Sequence, residues 1–148
     1  MLKAVILACV LVKSGASQYN ANKIAPIVIK YSKKRQLDPI LIASLIYRES
    51  RYRQRATSKT NDYGLMQVHC PYSKYAWWCK SVKRLYGIDF NIAVGTLICT
   101  YKRKRMKKQD KTWLKYYNPG SKTYTSKVLK TYKFLKKLEG QCKKQIAF

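Results

Sequence analysis

From Ile24 to Leu135 the apolar positions recur mostly at three- and four-residue spacing, the period of one helix face. Ile24, Ile27, Val28 and Tyr31 mark a first helix. Asp38-Pro39 starts a second, with Asp as N-cap and Pro in the first turn. Leu41, Ile42, Leu45, Ile46, Glu49 and Tyr52 carry its apolar stripe to about Tyr52. Ser73 or Lys74 to Tyr86 reads as a third helix, stopped at Gly87. Asn91 is placed to cap a fourth, with Val94, Leu97, Ile98 and Tyr101 inward and KRKRMKK as its solvated basic end. A short helix near Thr112–Tyr117 runs into the turn Asn118-Pro119-Gly120. A last helix covers roughly Tyr124–Glu139, with Val128, Tyr132 and Leu135 on one face and Gly140 as its stop. The pattern predicts a mostly α domain with at most a small β-hairpin near residues 58–68. No Gly/Ser linker, repeat or low-complexity segment divides it.

One position on the second stripe is not apolar. Glu49 sits one turn beyond Leu45 and Ile46, on or beside the face turned to the core. Partial burial disfavours a carboxylate and raises its pKa. A carboxyl group kept protonated near neutrality can hand a proton to a leaving oxygen. Arg48, Arg51 and Arg53 act the other way if they point at it, and an ion pair with Arg53 at i+4 is the plain structural alternative.

Composition sharpens the question. The chain of 148 residues carries 32 Lys/Arg against 6 Asp/Glu, a formal charge of +26. Such a field favours polyanionic partners: nucleic acid, anionic lipid or acidic wall polymers. The 13 tyrosines separate the chain from a disordered basic tail. At the start, Lys3 precedes the apolar run Ala4–Val12, and Ser14-Gly15-Ala16 offers small residues for cleavage. Residues 1–16 therefore read as an export signal, leaving 17–148 as one domain, or else as a buried N-terminal helix of that domain. The run is too short to span a bilayer as a helix.

Setting Cys9 aside with the leader, Cys70, Cys79, Cys99 and Cys142 form an even set, which suits an exported chain. Cys70–Cys79 is the local pairing and leaves Cys99–Cys142; four reduced, buried thiols are the other reading. No C-x-x-C pair accompanies the single histidine, His69, so no metal site and no cofactor are expected.

Several short motifs occur in order: Glu49-Ser50, then Ser58, then Gly64-Leu65-Met66-Gln67, then Asn91-Ile92 with Gly95 and Leu97, then Tyr117-Asn118 with Gly120. Together they resemble the soluble lytic transglycosylase domain of the lysozyme-like superfamily, over about Ile24–Leu135. The resemblance implies a lysozyme-like α+β fold and a lyase acting on peptidoglycan. That family cuts between N-acetylmuramic acid and N-acetylglucosamine and leaves a 1,6-anhydro end. Glu49 would be the catalytic acid and then base. Ser58 would lie near the muramyl unit, Gly64 would permit close backbone approach, Met66 would line the groove or pack in the core, and Gln67 would bond sugar groups. Tyr117 would hold the Glu49 carboxyl, and Asn118 would contact the saccharide. His69 has no matching role and reads as a polar bystander. Between Ser58 and Gly64-Leu65-Met66-Gln67 the chain has KTND where the family has Pro-x-Gly-Ala, and Tyr116 and Pro119 replace alanines.

Asp62 opens a second route. TNDYGLMQV followed by Trp77-Trp78-Cys79 is also similar to the part of animal C-type lysozymes that holds their second carboxylate. Glu49 and Asp62 would then be the acid and the stabilising or nucleophilic group of a muramidase that uses water. Tyr63, Trp77 and Trp78 offer stacking surfaces for sugar faces. A cationic wall-, membrane- or nucleic-acid-binding module without catalysis is the rival class, but no nucleic-acid motif accompanies the charge.

The expected partners are peptidoglycan glycan strands and anionic wall polymers or the outer-membrane surface, met by an exported monomer in the periplasm or cell wall. Similar small domains serve secretion and conjugation systems and phages, so such an assembly is a further expected partner.

Overall fold

The computed structural model describes residues 1–70, 76–105 and 111–147. The expected start of the third helix at Ser73 or Lys74 and the end of the KRKRMKK tail lie outside them. Among the described residues the chain forms α1 (Leu2–Lys13), α2 (Gln18–Arg35), α3 (Pro39–Ser50), a hairpin of β1 (Asp62–Tyr63) and β2 (Val68–His69), a 3-10 turn (Trp77–Lys80), α4 (Val82–Leu85), α5 (Ile88–Arg105), a second 3-10 turn (Lys111–Tyr116) and α6 (Tyr124–Ile146). The mostly α fold with one small hairpin is as the periodicity predicts. No helix is long and apolar enough to cross a membrane among the described residues.

α3 is the central element. Asp38 accepts from the Ile40 amide at 2.8 Å, and Pro39 supplies the first turn. Ile40 to Ile46 are then all buried, because α2 and α6 both pack against this helix. α1 closes the other side of the core. Leu7, Val10 and Leu11 are at most 2% exposed, and the helix lies against α2 and α6. The apolar run with the signature of a leader forms this helix, α1. Ser14, in the small-residue stretch, bonds the buried Tyr52 hydroxyl at 2.7 Å.

The packing of α1 on α6 also corrects one disulfide. Cys70–Cys79 forms as expected, but Cys142 bonds Cys9, 133 residues away, rather than Cys99. Cys99 is a free thiol buried on α5. The same contact explains why Gly140 does not stop α6. The helix runs on to Ile146, with Glu139 bonded to Lys136 and, across the glycine, to Lys143.

α5 starts three residues before Asn91, so that residue is not a cap. It is 1% exposed and acts as a bracket: its Oδ1 accepts from the Met66 amide at 2.8 Å, and its Nδ2 donates to the carbonyls of Tyr63 and Leu85 at 2.8 and 2.7 Å. Gly64, at φ +76°, leaves room for it; a Cβ there would lie 2.3 Å from the Asn91 amide nitrogen. This bracket fixes the hairpin to the helical core. Tyr101, expected inward, is 60% exposed, since Ile92, Thr96 and Cys99 take the buried side of α5.

Candidate active site

Glu49 occupies the last turn of α3, half-buried, just before Arg51 and Tyr52 turn the chain away with φ of 52° and 63°. The Tyr124 hydroxyl, at the start of α6, donates to its Oε1. Burial pushes the Glu49 carboxyl up to about 7; the Tyr124 bond opposes this, the Asp62 charge adds to it and Arg48 opposes it. The i+4 ion pair does not form, because the Arg53 Nε donates to the Ser50 carbonyl at 3.1 Å. Arg51 lies over the Tyr47 ring.

Asp62 lies on β1, directly opposite His69 on β2. The His69 Nδ1 is 2.8 Å from its Oδ1, and the Ser58 and Thr60 hydroxyls donate to its Oδ2 at 2.5 Å each. Burial alone would raise this carboxyl, but the bonds from Ser58, Thr60 and His69 outweigh it and hold it below the usual carboxylate range. The two carboxyls are driven apart, one toward the acid form and one toward the anion.

Both face one cleft of about 430 Å³ between the hairpin, α5 and the 117–119 turn. Gln67, His69, Tyr117 and Asn118 stand around it, with Val68 and Ile98 as an apolar wall. In so basic a chain the pairing of the other described acids is telling. Asp38, Asp89 and Glu139 each have a lysine within 4.0 Å. Among the described residues, Glu49 and Asp62 have neither lysine nor arginine at that range.

The expected site residues fare differently. Glu49, Asp62, Gln67, Tyr117 and Asn118 come together at the cleft. The Gln67 Nε2 is committed to the carbonyls of Ala56 and Gly64 at 3.1 and 3.0 Å. Tyr117 does not hold Glu49: its hydroxyl donates to the Met66 carbonyl at 3.0 Å, and its ring stacks on Tyr124, 6.2 Å between centroids. Ser58 supports Asp62 rather than lining the cleft. Met66 is fully buried against Gly95, its core-packing alternative. Gly64 makes its close approach to Asn91, not to the open cleft. Trp77 is exposed and meets Trp78 and Phe90 edge-on; Trp78 packs behind the Val68 wall.

Sequence reasoning missed three supports: Tyr124, Thr60 and His69. Tyr124 had a usable signal, one helical turn before Val128 on the inward face of α6. His69 became meaningful only once the hairpin register set it across from Asp62.

A family model, the transglycosylase SLT domain, matches residues 26–139. The chain belongs to the transglycosylase SLT family. Membership implies, in general terms, a lytic transglycosylase acting on peptidoglycan. The SLT match begins within α2 and ends within α6, so it takes in both carboxyls and the whole cleft wall, while α1 falls outside it. No curated protein matches the chain.

The Tyr124 contact carries a prediction within this SLT frame. The bond stabilises the Glu49 carboxylate, so Tyr124→Phe raises the Glu49 pKa further. The alkaline limb of the pH–rate profile, where the acid form is lost, will move up by about one pH unit. A limb that stays put or moves down contradicts the contact.

Proposed function

We propose that the protein cleaves the β-1,4 bond between N-acetylmuramic acid and N-acetylglucosamine in peptidoglycan, with Glu49 acting first as acid and then as base. Glu49 in its protonated form gives its proton to the glycosidic oxygen as the bond from the muramyl C1 breaks. The resulting carboxylate then takes the proton of the muramyl C6 hydroxyl as O6 bonds to C1. The product is a 1,6-anhydro ring, and no water is consumed. The observation that carries this reading is a half-buried glutamate, without a lysine or arginine within 4.0 Å among the described residues, facing a cleft with its carboxyl near 7. At that value both forms are populated at neutral pH, as a group that donates and later recovers a proton requires. The two disulfides support an exported, oxidising setting, where the wall polymer lies.

The hydrogen-bonded Asp62 anion in the same cleft favours a second reading, a muramidase in which Asp62 stabilises or captures the sugar cation and water completes the reaction. Release of soluble fragments from purified peptidoglycan by the wild type and by Asp62→Asn separates the two. In the transglycosylase, Asp62 acts only through the Glu49 pKa and the hairpin, and the variant loses no more than about tenfold. In the muramidase it loses a direct chemical partner and falls by about 10³-fold or more. No release by the wild type overturns both.

A further inference from the structure

We propose that the Lys102 ammonium is a recognition point for a carboxylate carried by the glycan strand. This rests on the reading of the substrate as peptidoglycan and adds to it which chemical feature of that polymer the cleft selects. Ile98 and Lys102 are four residues apart on α5, hence on one face, and both line the cleft with Glu49 and Asp62. The next residue shows what a structurally committed cation looks like here. Arg103 donates to the carbonyls of Gln36 and Arg35 at 2.6 and 3.0 Å and closes the end of α2. Lys102 makes no such bond among the described residues. Its neighbour in the cleft, Asp62, spends its oxygens on Ser58, Thr60 and His69. The charges acting on Glu49 are those of Asp62 and Arg48, so Lys102 is not placed to tune the acid.

A lysine that lines a cleft and meets no carboxylate among the described residues is matched by an anion on the ligand. A strand of N-acetylglucosamine alone carries none. Peptidoglycan offers carboxylates from two sources, the muramyl lactyl ether when no peptide is attached and the stem peptide when one is. A neutral polysaccharide would leave Lys102 idle, so the residue is expected to set preference for strands bearing free carboxyl groups.

The test is equilibrium binding in a Glu49→Gln background, where no strand is cut, with and without Lys102→Met. The probes are soluble glycan strands with stem peptides, the same strands with their carboxyls amidated, peptide-free strands that keep the lactyl carboxylate, and N-acetylglucosamine oligomers. Lys102→Met is expected to weaken binding of the peptide-bearing strands by about fivefold at low salt, the scale of a partly exposed charge-assisted bond. Lys102→Arg restores it, and amidated strands and N-acetylglucosamine oligomers show no difference. A loss on peptide-free strands assigns the lactyl group; a loss confined to peptide-bearing strands assigns the stem. In the Glu49-containing enzyme the same change raises KM, leaves kcat within about twofold and leaves the pH limb in place. Equal affinity of both proteins for the peptide-bearing and for the peptide-free strands overturns the proposal. Lys102-dependent binding without cleavage by the wild type overturns the reaction alone, and no binding at all overturns both.

Discussion

Glu49→Gln will abolish glycan cleavage, by at least about 10³-fold, while leaving the fold and strand binding intact. Glutamine keeps the shape and can still accept from Tyr124, but it can neither give nor take a proton. Since one carboxyl is asked to do both jobs, no second residue shares the loss. The same substitution has a stability signature. The folded-state pKa of Glu49, about 7, is raised above its ordinary 4.5 by burial. Its protonated form is therefore favoured by the fold: the stability it lends is complete below about pH 4.5 and is lost as pH rises through 7. Glutamine is never ionised, so the variant will match the wild type near pH 4 and exceed it at pH 8, by up to roughly 3 kcal/mol. Thermal unfolding at the two pH values checks this. Wild-type activity in the variant, or a stability gain that is equal at both pH values, contradicts the role given to Glu49.

Removing the Cys9–Cys142 bond, as in Cys9→Ser/Cys142→Ser, will produce the largest loss of stability. The bond joins positions 133 apart, and a loop of that size restricts the unfolded chain by about 4–5 kcal/mol in the chain-entropy account. It also pins α1 over the core, so its loss frees Leu7, Val10 and Leu11 to detach. Repulsion within a chain of formal charge +26 works in the same direction. The midpoint of thermal unfolding should fall by roughly 10–15 °C. The Cys70–Cys79 bond spans 9 positions, and its removal will cost less, about 3 kcal/mol. Peptide mapping without reduction should recover the Cys9 and Cys142 peptides joined. A free Cys142 thiol, or a drop no larger than for the short loop, contradicts the packing of α1.

What was legible in the sequence was what period and capping chemistry record. Asp38-Pro39 gave the start of α3, the apolar stripe gave its buried side, and the position of Glu49 after Leu45 and Ile46 put it at the rim of the core. Partners brought together by long-range packing left no such trace. A short apolar run behind one lysine has the same pattern whether it leaves with a leader or folds as α1, and only the α1–α6 contact decides which cysteine meets Cys142. Asn91 looked like a cap because capping and bracketing use the same amide side chain; its burial selects the second. Tyr117 and Tyr124 are stacked neighbours, and spacing alone does not say which hydroxyl reaches the glutamate. Gly140 is a helix stop in isolation, yet the disulfide and the Lys136–Glu139–Lys143 pairs carry α6 through it.

The decisive measurement is the mass of the fragments released from purified peptidoglycan digested in ¹⁸O-labelled water. A proton returned to Glu49 from the C6 hydroxyl leaves no place for solvent oxygen. The account predicts muramyl ends that are one water lighter than reducing ends and carry no label. Reducing ends with ¹⁸O at C1 would show that water completes the reaction, and would contradict it.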